Sequence, residues 1–365
     1  MANAEILAAE PYPDAPHPDE PGRKRGPLSP LARYLLTRLA LVPVMMWVLI
    51  TMVFILMRVI GDPITAAQGG RLNAEQIAER KEAAGLTAPL INQYWDYLRN
   101  LLHGDLGVTL TDKREISDIL LQNGAATLEL SFWSLIVAFG VGIPLGRVAA
   151  RYRDRWPDVA LRLFAILFYA APVFFVGLLL KLAFTPFGWP SSGRATTSTE
   201  LALQDVHPHT NIMIVDALIS GDGYYIRDVL QHAVLPAIAL GLLTGGVFLR
   251  LVRVNLLQTL RADYVTAARA RGVSERRVLR KHAFRTALVP VVTVMGMQIA
   301  ILLAGAVLTE TTFEWKGLGY QLAQYLIDRD FVAVQGIVTL IALVVCISSF
   351  LIDVIVAFVD PRVRF

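Results

Sequence analysis

Long apolar runs alternate with polar segments along the whole chain. Six runs approach or reach the length needed to cross a bilayer: 39–57, 128–145, 164–180, 234–249, 287–309 and 331–352. The first holds no charge between Arg38 and Arg58. At about 1.5 Å per residue it spans roughly 28 Å, close to the hydrocarbon thickness. Pro43 belongs near the start of that helix or at a kink in it. Pro172 falls inside the third run, where neighbours must satisfy the carbonyl it frees.

The polar segments differ in kind. Residues 1–30 are rich in proline and acids and cannot bury a core, so a disordered tail is expected. The first apolar run starts far from Met1 and is too long for a signal h-region, so no cleavable signal peptide is expected. Segment 61–127 carries helix signals: Asn73 as a cap, Gly85 as a stop, and Leu90, Tyr94, Tyr97, Leu98 and Leu101 at helical spacing. Segment 182–233 reads as a solvated loop. His207 and His209 lie two apart with no third ligand at a useful spacing, so no metal site is expected there. The chain then divides into the 1–30 tail, a first membrane helix at 31–60, an outside segment at 61–127, and a 128–365 core with five further spans.

Composition agrees with the pattern. Apolar residues make up 55% of the chain and mean hydropathy is +0.52, and the clustering of those residues is the membrane signature. The one cysteine, Cys346, excludes an internal disulfide. Six spans put 22 Lys and Arg against 11 acids on one side, and 12 against 19 on the other. Cytoplasmic loops carry the Lys and Arg excess, so both termini are expected inside. Glu129 falls at the outer edge of the second run, where a carboxylate costs far less than the ~2.5–3.5 kcal/mol of the bilayer centre.

Several functions are missing their residues. No GxxxxGK[ST], H-E-x-x-H, CxxC or GxSxG occurs, so no catalytic residue, metal or cofactor is assigned to the chain. The spans have almost no interior charge, whereas a secondary transporter usually carries an ionisable residue or a broken helix at mid-depth. A conduit driven by a partner fits better. Nothing points to nucleic acid.

The exception to simple connecting loops is 257–286, a basic stretch with two acids, Asp263 and Glu275, in its centre. Asp263 is placed to cap a helix reading YVTAARAR. Gly272 is suited to stop it in the left-handed conformation. Ser274 is placed to cap a second helix leading to the fifth span. Helix, glycine break, helix describes a rigid element built to meet a partner. A lipid-attracted basic loop would need neither the small residues nor the break.

This loop resembles the EAA loop of ABC importer permeases, through Thr266, Ala267, Ala268 and Gly272. Its wording, DYVTAARARG followed by HAFRTALVP, is similar to that of the dipeptide/oligopeptide subfamily. Thr266 replaces the glutamate that names the loop, and Thr286 stands where asparagine is frequent. The resemblance covers roughly 31–365. It implies an all-α integral membrane protein of the type I ABC importer permease fold, with six transmembrane helices and a scoop-like extracytoplasmic segment between the first two. The phrase Gly104-Asp105-Leu106-Gly107 belongs to that segment in the family. The first short helix of the loop would dock on a cytoplasmic ATPase, with Tyr264, Thr266, Ala267, Ala268, Arg271 and Gly272 carrying the coupling. Arg276, His282 and Arg285 would support it.

A second family phrase, ETxFxxxGLG, maps onto Glu310, Phe313, Gly317 and Gly319 and implies a short helix at the outer gate. Glu310 either faces a peptide amino terminus or is a headgroup-level acid. Gln298, at mid-depth in the fifth span, either lines a path or joins two helices. The implied partners are a homologous second permease, two ATPase subunits that bind ATP and Mg, an extracytoplasmic binding protein, and membrane lipids. The implied location is the bacterial inner membrane. Short peptides lead as substrate, with nickel chelates, glutathione or oligosaccharides as alternatives. A self-sufficient carrier would not co-purify with an ATPase, and a scaffold would show no solute flux.

Overall fold

The computed structural model describes residues 30–68, 73–83, 85–304 and 306–359; the 1–29 part of the expected tail lies outside them. Among the described residues the chain is helical, without strands, and one isolated antiparallel bridge joins Val108 to Glu115.

Two helices form the axis of the molecule. These are α5 (Ile116–Arg151) and α10 (Gly223–Thr259), of 36 and 37 residues. Each is roughly 55 Å long, nearly twice the hydrocarbon thickness. The runs at 128–145 and 234–249 are therefore only their central parts. Small residues let the two backbones approach. A Cβ on Gly142 would lie 2.6 Å from the Gly245 carbonyl oxygen, and one on Gly241 would lie 2.7 Å from that of Ser134. Close approach of this kind replaces the hydrophobic driving force that lipid removes.

Around the axis stand α1 (Pro30–Ile60), α13 (Phe284–Ala304) and α16 (Phe331–Val359). The stretch 35–60, α5, α10 and the stretch 331–355 are each long and apolar enough to cross a membrane. Large apolar side chains of α1, among them Trp47, Met52 and Val59, face outward. In a bilayer such a face is solvated by lipid or by a neighbouring helix.

The third run departs from expectation. It is not one straight helix but α6 (Trp156–Ala170) and α7 (Val173–Phe184), and the bend at the break is 105°. Pro172 is the cause. Its ring disfavours the helical region for the preceding residue, and Ala171 is extended at φ −72°, ψ 135°. Pro172 itself then precedes the first residue of α7.

The segments between the first two runs and between the third and fourth are both built of short helices. In the first, α2 (Pro63–Gln68) leads to α3 (Ala74–Ala83). Asn73 and Gln76 cap α3 reciprocally, Asn73 Oδ1 accepting from the Gln76 N–H at 2.8 Å, and Gly85 follows with φ +67°. Helix α4 (Leu90–Leu102) does not stand clear of the bundle. Tyr94 hydrogen-bonds Thr51 of α1 at 2.6 Å, and Tyr97 hydrogen-bonds Thr339 of α16 at 2.7 Å. Phe54 of α1 packs against both rings.

Segment 182–233 is not a solvated loop. It contains α8 (Thr197–Gln204), α9 (Met213–Ser220) and the first turns of α10. Ala195, Leu203, Ala217 and Val229 form its own small core. Asp228 accepts from the Thr196 N–H and hydroxyl, both at 2.9 Å, and Asp216 does the same for Thr210. Two of its histidines are tied to these acids: His209 lies 3.3 Å from Asp216, and His232, buried on α10, 3.3 Å from Asp228. No group of metal-binding side chains occurs among the described residues.

Candidate functional site: the basic helical loop

The loop leaves α10 at one end of the bundle as α11 (Asp263–Ala270), turns, and returns through α12 (Glu275–Arg277) into a π-helical stretch, Val278–Ala283, before α13. π-Turns inside helices are rare and frequent at functional positions. Helix, break, helix is thus the observed layout. Its caps differ from expectation. Asp263 is the first helical residue and Ala262 the cap, while Ser274 occupies the next cap position without a side-chain hydrogen bond. An acid in the first turn still suits the helix dipole.

Gly272 adopts φ +76°, and a Cβ there would meet nothing within 4 Å. Glycine is needed for its conformation and not for space. The turn is closed by the Gly272 and Val273 N–H groups, which donate to the Arg269 and Ala268 carbonyls at 2.9 and 3.2 Å.

The two helices of the loop hold each other by a small core, Val265 and Ala268 against Val278, with Val273 at its edge. Ala268, expected among the coupling residues, faces the returning chain. Val265 and Ala268, three residues apart, share the buried face, and Tyr264, Ala267 and Arg271 form the outer edge adjacent to it. These three, together with Thr266 and Gly272, are exposed. Arg276 and Arg285 are exposed as well; the His282 side chain lies outside the described residues.

A brace that sequence reading missed fixes the pair of helices. Arg269 Nε and a terminal nitrogen donate to the two Glu275 carboxylate oxygens at 3.1 and 2.8 Å. A third donation reaches the Leu260 carbonyl at 3.2 Å. The Arg269 guanidinium holds the Glu275 carboxyl below its ordinary value, and Glu275 raises Arg269 in turn. The six-residue separation of Arg269 and Glu275 across a glycine turn was the available signal.

At the opposite end of the bundle, three of the expected gate residues converge. Gly317 and Gly319 sit against the Glu310 carboxylate, where added Cβ atoms would approach its oxygens to 2.4 and 3.0 Å. Glu310 is wholly buried on α14 (Val307–Thr312). It accepts from the Thr127 hydroxyl at 2.7 Å and the Tyr320 N–H at 2.8 Å, at the start of α15 (Leu318–Ile327). Phe313 belongs to a neighbouring apolar cluster with Leu235 and Ala239. Gln298 is half-buried on α13. A second buried carboxylate, Glu129, pairs with Arg194 and accepts from the Met213 and Ile214 N–H groups at 3.2 and 3.0 Å. A paired cation and two backbone N–H groups thus accommodate that charge.

The fold and the loop define a multi-pass helical membrane protein with one rigid, solvent-facing helical element. Two family models match the chain: the inner membrane component of binding-protein-dependent transport systems over residues 142–365, and its N-terminal part over residues 31–128. The chain belongs to this family, and it is an ABC importer permease of the bacterial inner membrane.

Similar proteins agree in length as well as sequence. The di/tripeptide transport system permease protein of Pseudomonas aeruginosa (strain UCBPP-PA14) is 39% identical, over 85% of this chain and 92% of the relative. The dipeptide transport system permease protein of Escherichia coli (strain K12) is 38% identical, over 92% and 99%. The glutathione transport system permease protein of Escherichia coli O6:H1 is 31% identical, over 92% and 100%.

Proposed function

We propose that this chain forms half of the membrane path of an ATP-driven importer for short peptides, and that α11 transmits the motion of a cytoplasmic ATPase. The observation that carries the coupling is the exposed edge Tyr264, Ala267 and Arg271 on a helix braced from behind by Val278 and Glu275. A helix fixed in this way passes a push to α10 and α13, which flank it in the chain. The peptide substrate rests on the names of the most similar proteins.

In this reading six spans cross the membrane: α1, α5, the bent α6–α7 pair, α10, α13 and α16. The basic loop and both termini lie in the cytoplasm, following the Lys and Arg excess. A second homologous permease completes the path, two ATPase subunits bind ATP and Mg, and an extracytoplasmic binding protein delivers substrate. Closure of the ATPases draws the two coupling helices together and opens the path outward; hydrolysis resets it. Glu310, Phe313, Gly317, Gly319 and Gln298 are proposed for the outer gate and the path.

The test is crosslinking in a Cys346→Ser background. Cysteines at Ala267 and Arg271 should crosslink to the ATPase with a yield that changes on adding ATP. A cysteine at Ala268, facing inward, should not. Absence of any crosslink from Ala267→Cys and Arg271→Cys in inserted protein would sink the docking assignment. Uptake of labelled dipeptide, competed by glutathione in parallel, separates the candidate substrates.

A further inference from the structure

Behind the loop lies a cleft of about 680 Å³ between the ends of α5 and α10 and the returning chain of the loop. Four arginines line it: Arg147 and Arg151 from the last two turns of α5, and Arg276 and Arg280 from the loop. All four are exposed, and among the described residues none is in an ion pair. The one acid in the lining, Glu275, is taken by the two hydrogen bonds from Arg269. Four guanidinium groups therefore share a small space without a counter-charge. Such clustering raises the local potential and favours an anion.

The rest of the lining is apolar: Pro144, Val148, Ala150, Leu256, Leu260 and Leu279. Arg147 is steered by the Phe284 ring, its guanidinium carbon 4.5 Å from the centroid. The position along the chain sets the depth. Arg147 and Arg151 close the α5 span, and Arg280 stands four residues before α13 begins. Arginines at the ends of spans lie at the level of lipid phosphates, where anionic headgroups attract them. None of Tyr264, Ala267 and Arg271, on the exposed edge of α11, lines this cleft.

We propose that the cleft is a binding site for one anionic phospholipid of the leaflet facing the loop. Its phosphate is held by Arg147, Arg151 and Arg280, and its acyl chains run back from the cleft into the bilayer. Guanidinium forks match phosphate oxygens bidentately. The bound lipid would join α5 to the loop and so stiffen the coupling element. This rests on the loop lying at a membrane face, not on ATPase docking itself.

The test uses the full-length chain in its assembled transporter, purified in detergent and stripped of lipid. Added phosphatidylglycerol should raise the thermal midpoint by several degrees, while phosphatidylcholine and inorganic phosphate at equal concentration should not. The triple variant Arg147→Gln, Arg151→Gln, Arg280→Gln should lose the shift. If the triple variant does not fold, Arg147→Gln and Arg280→Gln singly should each reduce it. No shift with phosphatidylglycerol, an equal shift with phosphatidylcholine, or a shift that survives the substitutions would overturn the site. An equal shift with inorganic phosphate would overturn the lipid as occupant. The Ala267→Cys crosslink, measured on the same preparations, reads the docking proposal separately.

Discussion

Arg253 of α10 grips Asp158 of α6 through two hydrogen bonds, Nε to Oδ1 at 2.6 Å and a terminal nitrogen to Oδ2 at 2.8 Å. Asp158 is fully buried, and its carboxylate also accepts from the Asp154 N–H at 3.0 Å. The pair fixes the first turn of the bent helix pair to the axis of the bundle. Arg162, one turn along α6, lies 3.6 Å from the same carboxylate, so removing Arg253 leaves Asp158 partly compensated and should cost less than the ~3–5 kcal/mol typical of a buried pair losing one partner. Arg253→Ala should therefore lower folded yield and thermal midpoint in detergent, and Arg253→Ala with Arg162→Ala should lower them further. Exchanging the two residues should not restore stability, because the Asp154 N–H would lose its acceptor.

The pairing of Arg194 with Glu129 makes an analogous prediction at the other end. Glu129 caps the start of α9 as well as meeting Arg194. Arg194→Ala should loosen the 194–222 segment without unfolding the spans. Limited proteolysis should then cut within that segment, where the parent resists. Lys113, exposed and in no ion pair among the described residues, gives the control: Lys113→Ala should leave the pattern unchanged.

Helix approach can be tested glycine by glycine. Gly142→Ala puts a Cβ 2.6 Å from a backbone oxygen that has no room to move. Overpacking of this kind costs typically ~1–3 kcal/mol, so the yield of inserted, monodisperse protein should fall. Gly140→Ala, with nothing within 4 Å, should be silent.

In the loop, Gly272→Ala tests conformation alone, since the space is open. Left-handed backbone costs roughly 1–2 kcal/mol for an ordinary residue. Gly272→Asn should be milder, because asparagine tolerates that region better. With Gly, Asn or Ala at position 272, nucleotide-dependent crosslinking through Ala267→Cys should fall in the order Gly, Asn, Ala.

The brace between Arg269 and Glu275 makes loop stability pH-dependent. Glu275 is held below its ordinary carboxylate value, so its contribution is fully present above that value. It is lost as pH falls through the lowered value. Both side chains are exposed, so the effect belongs in the ~0.2–1 kcal/mol range of surface pairs. Protection of the Val273 amide against hydrogen exchange, corrected for intrinsic rate, should drop on acidification. Glu275→Gln should show the lowered protection already at neutral pH and little further change.

Membrane character and the helix–glycine–helix loop were legible in the residues themselves. Hydropathy sums along a run, and the left-handed position of Gly272 is a local demand. The α3 cap, Asn73, was legible for the same reason; its reciprocal partner Gln76 was not named. The break at Pro172 was half legible: proline marked the spot, but a kinked span and two helices bent by 105° share one sequence signal. The burial of Glu129 and Glu310 was not legible. Their partners, Arg194 and Thr127, lie 65 and 183 residues away in the chain.

The sequence by itself determined what each segment must do with water and lipid, because transfer energies and charge belong to residues wherever they sit. Tertiary structure decided which groups meet. It turned Ala268 inward and left Ala267 outward, one residue and about 100° of helix apart. It brought four arginines from two distant elements into one cleft. Such choices depend on the relative placement of helices, which short-range pattern does not encode.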